Sequence, residues 1–330
     1  MHWLTRFTTP RFLLILATAG YVNAQSPAGV PARPDSPAVL AHIEKAKQAA
    51  GKEWAEEVTF FCSAPKASSA TDPVMAPVRL FDNLYAIGRL SNVGYAITTP
   101  NGIILIDAGY ANDVESVLLA GMKTLGLDPA QVKTIVVTHG HSDHFGGAPY
   151  FQEHYGSHVV LSGPDWDLIL NPPPPPPGAK PAPPVTAPKK DIVAIEGTPV
   201  VLGHEKVYPV MTPGHTPGSM GLIFKVKDGK RTHMAAIYGG TILISGRIAD
   251  DQLQVYLKSL EHFKETAKKM KVDVELQNHP IYDGMPEKLA ALKDRTPGSP
   301  NPFVITPASY GQFLDVQSEC MKAALARRSE

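Results

Sequence analysis

Residues 134–147, TIVVTHGHSDHFGG, constrain this chain more than any other stretch. Ile135, Val136 and Val137 form a β-branched run of the kind that makes a buried strand. The run empties into a loop holding His139, His141, Asp143 and His144, and Gly146-Gly147 then open a helix. Such a density of metal-binding side chains, directly after an apolar strand, calls for a cleft at the strand's C-terminal end. There a loop can aim several side chains at one point while the strand holds their root. His139 and His141 alternate on an extended chain and reach one ion. Asp143 and His144 fall past the bend and reach a second. The bland alternative is a solvated loop with scattered histidines, and two histidines downstream count against it.

Those two also leave strand ends. Residues 207–211 run into TPGHTPG around His215, and residues 272–276 run into QNHP around His279. THGHSDHFGG resembles the signature of the metallo-β-lactamase superfamily, and LFDNLYAIG, TTPNGIILIDAGY, TPGHTPGS and HPIYDGMPEKLAAL extend the resemblance from about Leu80 to about Leu292. The resemblance implies an α/β fold, a four-layered αββα sandwich with a one- or two-metal site at one edge. It also implies His215 as a third ligand and His279 as the last. Asp107, ending a strand, would brace the metal loop rather than bind metal.

The six ligands then sort into His139, His141 and His215 on one side and Asp143, His144 and His279 on the other. Three protein ligands and one open position distinguish a catalytic zinc site from a closed structural one. Imidazole and carboxylate donors without thiolate suit Zn2+, so one Zn2+ is expected in each set. The implied reaction is attack on a substrate carbonyl by a hydroxide held between the metals, with Asp143 orienting it. Neither a serine nor a cysteine nucleophile is required.

Gly239-Gly240-Thr241 narrows the resemblance. Lactonase-like and glyoxalase II-like members carry a bridging aspartate in this turn, and first-subclass β-lactamases carry a cysteine. This chain has neither, which resembles the third subclass of class B β-lactamases, where a small hydroxyl residue stands here. Thr241 then either bonds a metal-bound water or merely starts the next strand. Two departures concern substrate: Leu243 replaces a second hydroxyl residue that would hold a β-lactam carboxylate, and Met220-Gly221-Leu222 follows TPGHTPGS in place of Thr or Ser and Trp. The expected function is an exported zinc hydrolase opening β-lactam rings. The alternatives are a periplasmic hydrolase of another ester, lactone or thioester, and a non-catalytic metal-binding protein of the same fold.

Residues 1–24 read as a secretory leader: Arg6 and Arg11, the apolar core FLLILATA, and Val22-Asn23-Ala24 before Gln25. That core is far short of the ~20 residues that span a bilayer, so a periplasmic or secreted protein with no transmembrane segment is expected, an uncleaved anchor being the alternative. Residues 25–77 read as an extension with a helix between Ser36-Pro37 and Gly51, its stripe being Leu40, Ile43, Ala46 and Ala50. Residues 78–330 read as the hydrolase domain, with a Pro-rich insertion at 172–190. The 31 basic and 31 acidic residues balance. Nucleic acid is therefore not an expected partner, whereas a small-molecule substrate is. Cys62 and Cys320, the only cysteines, either pair or stand apart; nothing in their spacing decides. His154, His158, His204 and His262 match no ligand position and read as structural or solvated.

Overall fold

A computed structural model of the chain describes residues 34–62, 72–174, 184–243, 248–296 and 298–329. The expected leader and the middle of the Pro-rich insertion lie outside the described residues.

Twelve strands make two sheets. The first sheet runs in sequence order through β1 (Val78–Phe81), β2 (Leu84–Arg89), β3 (Asn92–Thr99), β4 (Gly102–Ile106), β5 (Val132–Val136), β6 (His158–Ser162) and β7 (Ile192–Ala194). It is antiparallel up to β4 and parallel from β4 to β7. The second sheet has the order β12-β11-β10-β9-β8, from β8 (Val200–Leu202), β9 (Glu205–Met211), β10 (Met220–Asp228), β11 (Arg231–Ile237) and β12 (Val274–Leu276). Only the β11–β12 pair is parallel in it.

Side chains alternate across a strand, and here the alternation sorts the apolar residues into three interfaces. Ile104 and Ile106 of β4 meet Leu222, Phe224 and Val226 of β10 between the sheets. Ile103 and Leu105 of β4, with Ile135 and Val137, face the other way, toward Val114, Leu118, Met122, Phe151 and Trp166. Ile223 of β10 and Ala236 of β11 face helices Pro37–Ala50, Ala55–Cys62, Asp250–Met270 and Pro307–Arg328, through Trp54, Phe263 and Phe313. Helices, two sheets and helices again make the four-layered αββα sandwich, the metallo-β-lactamase fold. Both faces of β4 are covered, which is why Ile103–Ile106 reads as a continuous apolar run.

Several local expectations change. Ser36 caps the first helix as expected, its Oγ accepting from Val39 N. Its buried face, however, carries Val39, Ala46 and Ala50, while Leu40 is 53% exposed. Residues 112–126, whose Val114, Val117, Leu118, Met122 and Leu125 spacing predicts one capped helix, instead span a 3-10 turn (Ala111–Asp113), a π-helical stretch (Val114–Leu119) and a short α-helix (Ala120–Thr124), with no side-chain cap. The Asp113 carboxylate that could have capped it is held by Arg89 at 2.6 and 2.8 Å. Helices Ala55–Cys62 and Gly163–Leu170 were not expected. The Cys62 and Cys320 sulfurs are bonded, joining the second helix of the extension to the last helix of the chain. Asp35–Glu330 forms one compact unit, so the helices of the extension belong to the outer layer of the sandwich. Among the described residues no helix is long and apolar enough to cross a membrane.

Candidate metal centre

All the candidate ligands lie where strands of both sheets end. β5 leads to His139, His141, Asp143 and His144, β9 leads to His215, and β12 leads to His279. Two backbone hydrogen bonds join the sheets at this edge, Met220 N to Thr138 O and Val93 N to Asn278 O, both 2.9 Å. The donors converge in two groups, His139 with His141 and His215, and Asp143 with His144 and His279.

In the first group His215 Nε2 lies 3.1 Å from His139 Nε2 and 2.9 Å from His141 Nδ1. In the second, His144 Nε2 lies 3.1 Å from His279 Nε2 and 3.3 Å from Asp143 Oδ2, and His279 Nε2 lies 3.7 Å from that oxygen. Tetrahedral zinc with Zn–N of ~2.0–2.1 Å places neighbouring ligand atoms roughly 3.3 Å apart. Both groups fit that spacing, and the donor chemistry fits a divalent transition metal.

The ring nitrogens turned away from the cleft show how the rings are held. His144 Nδ1 donates to Asp107 Oδ2 at 2.8 Å, and His279 Nδ1 donates to Ser91 O at 2.5 Å. Thr138 Oγ1 donates to Asp107 Oδ2 at 2.9 Å and meets His139 Nδ1 at 3.1 Å. Asp107 Oδ1 accepts from Thr138 N at 2.7 Å, and Asn278 Nδ2 reaches Thr138 Oγ1 at 3.1 Å. Asp107 is fully buried and sits at φ +55°, left-handed backbone that few non-glycine residues adopt. Its position fits the brace expected from sequence, tying the end of β4 to the metal loop. His215 differs from His139, His144 and His279, because its Nδ1 is buried with no hydrogen-bond partner among the described residues.

Sequence reasoning missed two residues. Asn92 Nδ2 donates to Asp143 Oδ2 at 3.1 Å and so fixes that carboxylate. Asp165, in the helix that was not expected, accepts from Gly140 N (2.7 Å), Gly218 N (2.7 Å) and Thr216 Oγ1 (2.6 Å).

Thr241 is buried, and its hydroxyl bonds beneath the glycine turn. That hydroxyl donates to Tyr238 O at 2.7 Å and to Gln277 Oε1, which also accepts from Tyr282 Oη at 3.0 Å. These two acceptors share its one proton, so of the two roles the sequence leaves open for Thr241, donating to a water in the cleft competes with holding the turn, while its oxygen remains an acceptor. Leu243, which stands where a second hydroxyl residue would be, is 6% exposed and belongs to the apolar cluster beneath the outer helices.

Burial, reinforced by the neighbouring imidazoles, holds His139 and His215 well below the usual histidine value. Burial also lowers His141, and burial with His144 beside it brings His279 to about 4. These four are neutral near pH 7, the form that ligates. Burial alone would lower His144, but the Asp143 and Asp107 carboxylates push it up to about 10. Asp143 is held far below the usual carboxylate range: burial opposes this, but His144, His279 and His141 prevail. A metal entering the second group must therefore displace the His144 proton, whereas one entering the first displaces none. Between pH 6 and 9, zinc affinity of the second group is expected to rise about tenfold per pH unit and that of the first to stay flat. Chelator competition at several pH values checks this, and a flat profile for the second group would place the proton elsewhere.

Residues 87–228 match the metallo-β-lactamase superfamily. The solved structure of BJP-1, a subclass B3 metallo-β-lactamase of Bradyrhizobium japonicum, is similar with a TM-score of 0.61 and 27% identity, over 85% of this chain and 94% of that one. The probable metallo-hydrolase YflN of Bacillus subtilis is 24% identical over 37% of this chain. The N-acyl homoserine lactonase AttM of Rhizobium radiobacter is 26% identical over 41% of it. The chain spans 51% and 60% of those two relatives' lengths. Residues 87–228 are a metallo-β-lactamase superfamily domain, in a chain whose structural neighbours include the subclass B3 enzymes.

Proposed function

We propose that this chain is an exported zinc hydrolase that opens β-lactam rings, with one Zn2+ in each donor group. The observation that carries the reading is the pairing of two open three-donor groups with a glycine turn where other branches place a bridging carboxylate. A Cβ on Gly240 would lie 2.5 Å from His215 Cβ, so this turn has no room for such a side chain. Similarity to BJP-1 over most of both chains supports the same branch. Export is supported by the leader-like residues 1–24 and by the Cys62–Cys320 bond, since disulfides persist in oxidising compartments.

His139 Nε2, His141 Nδ1 and His215 Nε2 would hold one metal, and Asp143 Oδ2, His144 Nε2 and His279 Nε2 the other. Zinc held there would supply an acidified water and polarise a carbonyl. Asp143, fixed by Asn92 and partly open to solvent, would orient that water. Both cysteines are bonded to each other, so no thiol nucleophile competes. Thr241 serves from below, fixing the Gly239-Gly240 turn through Gln277.

The test is turnover of a penicillin, a cephalosporin, a carbapenem, a homoserine lactone and a glutathione thioester by zinc-loaded protein. Chelator-sensitive loss of the β-lactams is expected. Intact β-lactams beside an opened lactone would hand the site to the second reading, which the match to AttM favours. If every compound survives while zinc is bound, a non-catalytic metal-binding protein remains. The triple alanine variant at His139, His141 and His215 should lose the first metal, and full occupancy in it would sink the ligand assignment.

A further inference from the structure

We infer that Asp165 is the positioning residue and counter-charge of the first metal group, and that it acts on that group separately from Asp107. The inference rests on the ligand reading above and goes beyond it. Asp165 is fully buried and accepts three hydrogen bonds, all from the two loops that carry the first group. Gly140 stands between His139 and His141, while Thr216 and Gly218 follow His215. One carboxylate therefore clasps both loops.

Two further observations point to the same role. His144, His279 and His139 each have a ring nitrogen held from behind, but buried His215 Nδ1 has no partner among the described residues. The orientation of His215 must come from its loop, and Asp165 takes two hydrogen bonds from that loop. The second consideration is charge. The first group offers three neutral imidazoles to a dication, whereas the second has Asp143 within it and Asp107 against His144. Asp165 places a carboxyl group on the His141 loop, where burial pushes it above the usual carboxylate value while the three donors from Thr216, Gly140 and Gly218 favour its ionised form. Hydrogen-bonding partners behind the ligands typically change metal affinity by about 10–100-fold.

The experiment isolates each group in the full chain. In a His279→Ala background zinc titrates the first group, and in a His215→Ala background it titrates the second. Asp165→Asn keeps the size of the side chain but turns an NH2 toward donors that need an acceptor. Expected is a rise of about 10–100-fold in zinc Kd in the first background and a change below about threefold in the second. A milder variant, Thr216→Val, removes one donor and should weaken only the first group by a few-fold, and it covers the case in which Asp165→Asn fails to fold. A purely structural residue would lower the urea midpoint of the metal-free protein and affect both groups alike. Equal losses in both backgrounds, or no loss in the first, overturn the inference. Wild-type protein that titrates with zinc yet opens no β-lactam would overturn the substrate reading alone.

Discussion

Gly240→Ala is expected to empty the first metal group and to cut kcat/KM by about a hundredfold or more, because a misplacement of ~1 Å at a reacting centre costs on that order. The argument is steric. Gly240 has φ +79°, and a Cβ built there lies 2.5 Å from His215 Cβ, 2.6 Å from Cγ and 2.8 Å from Cδ2. The left-handed backbone alone costs an alanine about 1–2 kcal/mol. The ring cannot yield easily, since the preceding Gly214 packs against the backbone of Tyr256, with a built Cβ 2.7 Å from its Cα. Gln252 Nε2 and Ser259 Oγ pin the carbonyls of Gly214 and Pro213 at 2.6 and 2.7 Å. The loop is held on one side and the turn presses on the other. Gly240→Asp should fail in the same way and should not create a bridging ligand. Metal content and kcat/KM of the purified variant check this. A Gly240→Ala protein with full metal and ordinary turnover would show that His215 can swing aside and that the glycine is not there for close approach.

The fold and the two clusters of candidate ligands were legible in the sequence for a local reason. His139, His141, Asp143 and His144 are contiguous, and His215 and His279 each follow a β-run within a Gly/Pro-rich or Pro-containing turn. Chemistry confined to a few consecutive residues leaves a pattern in one dimension. The residues that hold the ligands leave none. Asp165 bonds Gly140 and Gly218, 25 and 53 residues away, and locally it only sits in a helix start, where Ser162 Oγ accepts from Asp165 N. Asn92 is 51 residues from Asp143 and sits where a strand begins. Thr241 shows the limit from the other side. Sequence leaves its hydroxyl two roles, and the partners that hold it, Tyr238 O and Gln277, depend on how β11 and β12 pair. Leu40 was read from helical spacing, yet the helix rolls to bury Val39, because the face it meets is set by helix Pro307–Arg328 and not by its own stripe.

Replacing Cys62 and Cys320 together by serine is expected to destabilise the protein by about 2–5 kcal/mol while leaving its metal content intact near room temperature. The bond closes a span of 258 residues, from helix Ala55–Cys62 to helix Pro307–Arg328. In the chain-entropy account a long closed span restricts the unfolded chain most. What it holds is the outer helical layer. Trp54 sets its ring edge-on to Phe313 at 5.1 Å and donates from Nε1 to Ser309 O at 3.1 Å, and Phe60 stacks on Tyr282 at 4.7 Å. Those contacts remain in the double serine variant, so the layer should stay docked but melt earlier. At ~2–4 °C per kcal/mol for a chain approaching this size, the midpoint should fall by roughly 5–15 °C. The candidate ligand loops follow other elements, β5, β9 and β12, and the hydrogen bonds of Asp165, His144 and His279 described above run through neither cysteine. Zinc stoichiometry at 25 °C should therefore match the wild type. A reductant supplies the internal control: it should lower the wild-type midpoint to that of the double variant and leave the variant unmoved. If the wild-type midpoint ignores the reductant and the variant melts with it, the two sulfurs are not bonded in solution, and the support that the bond lends to export falls with it.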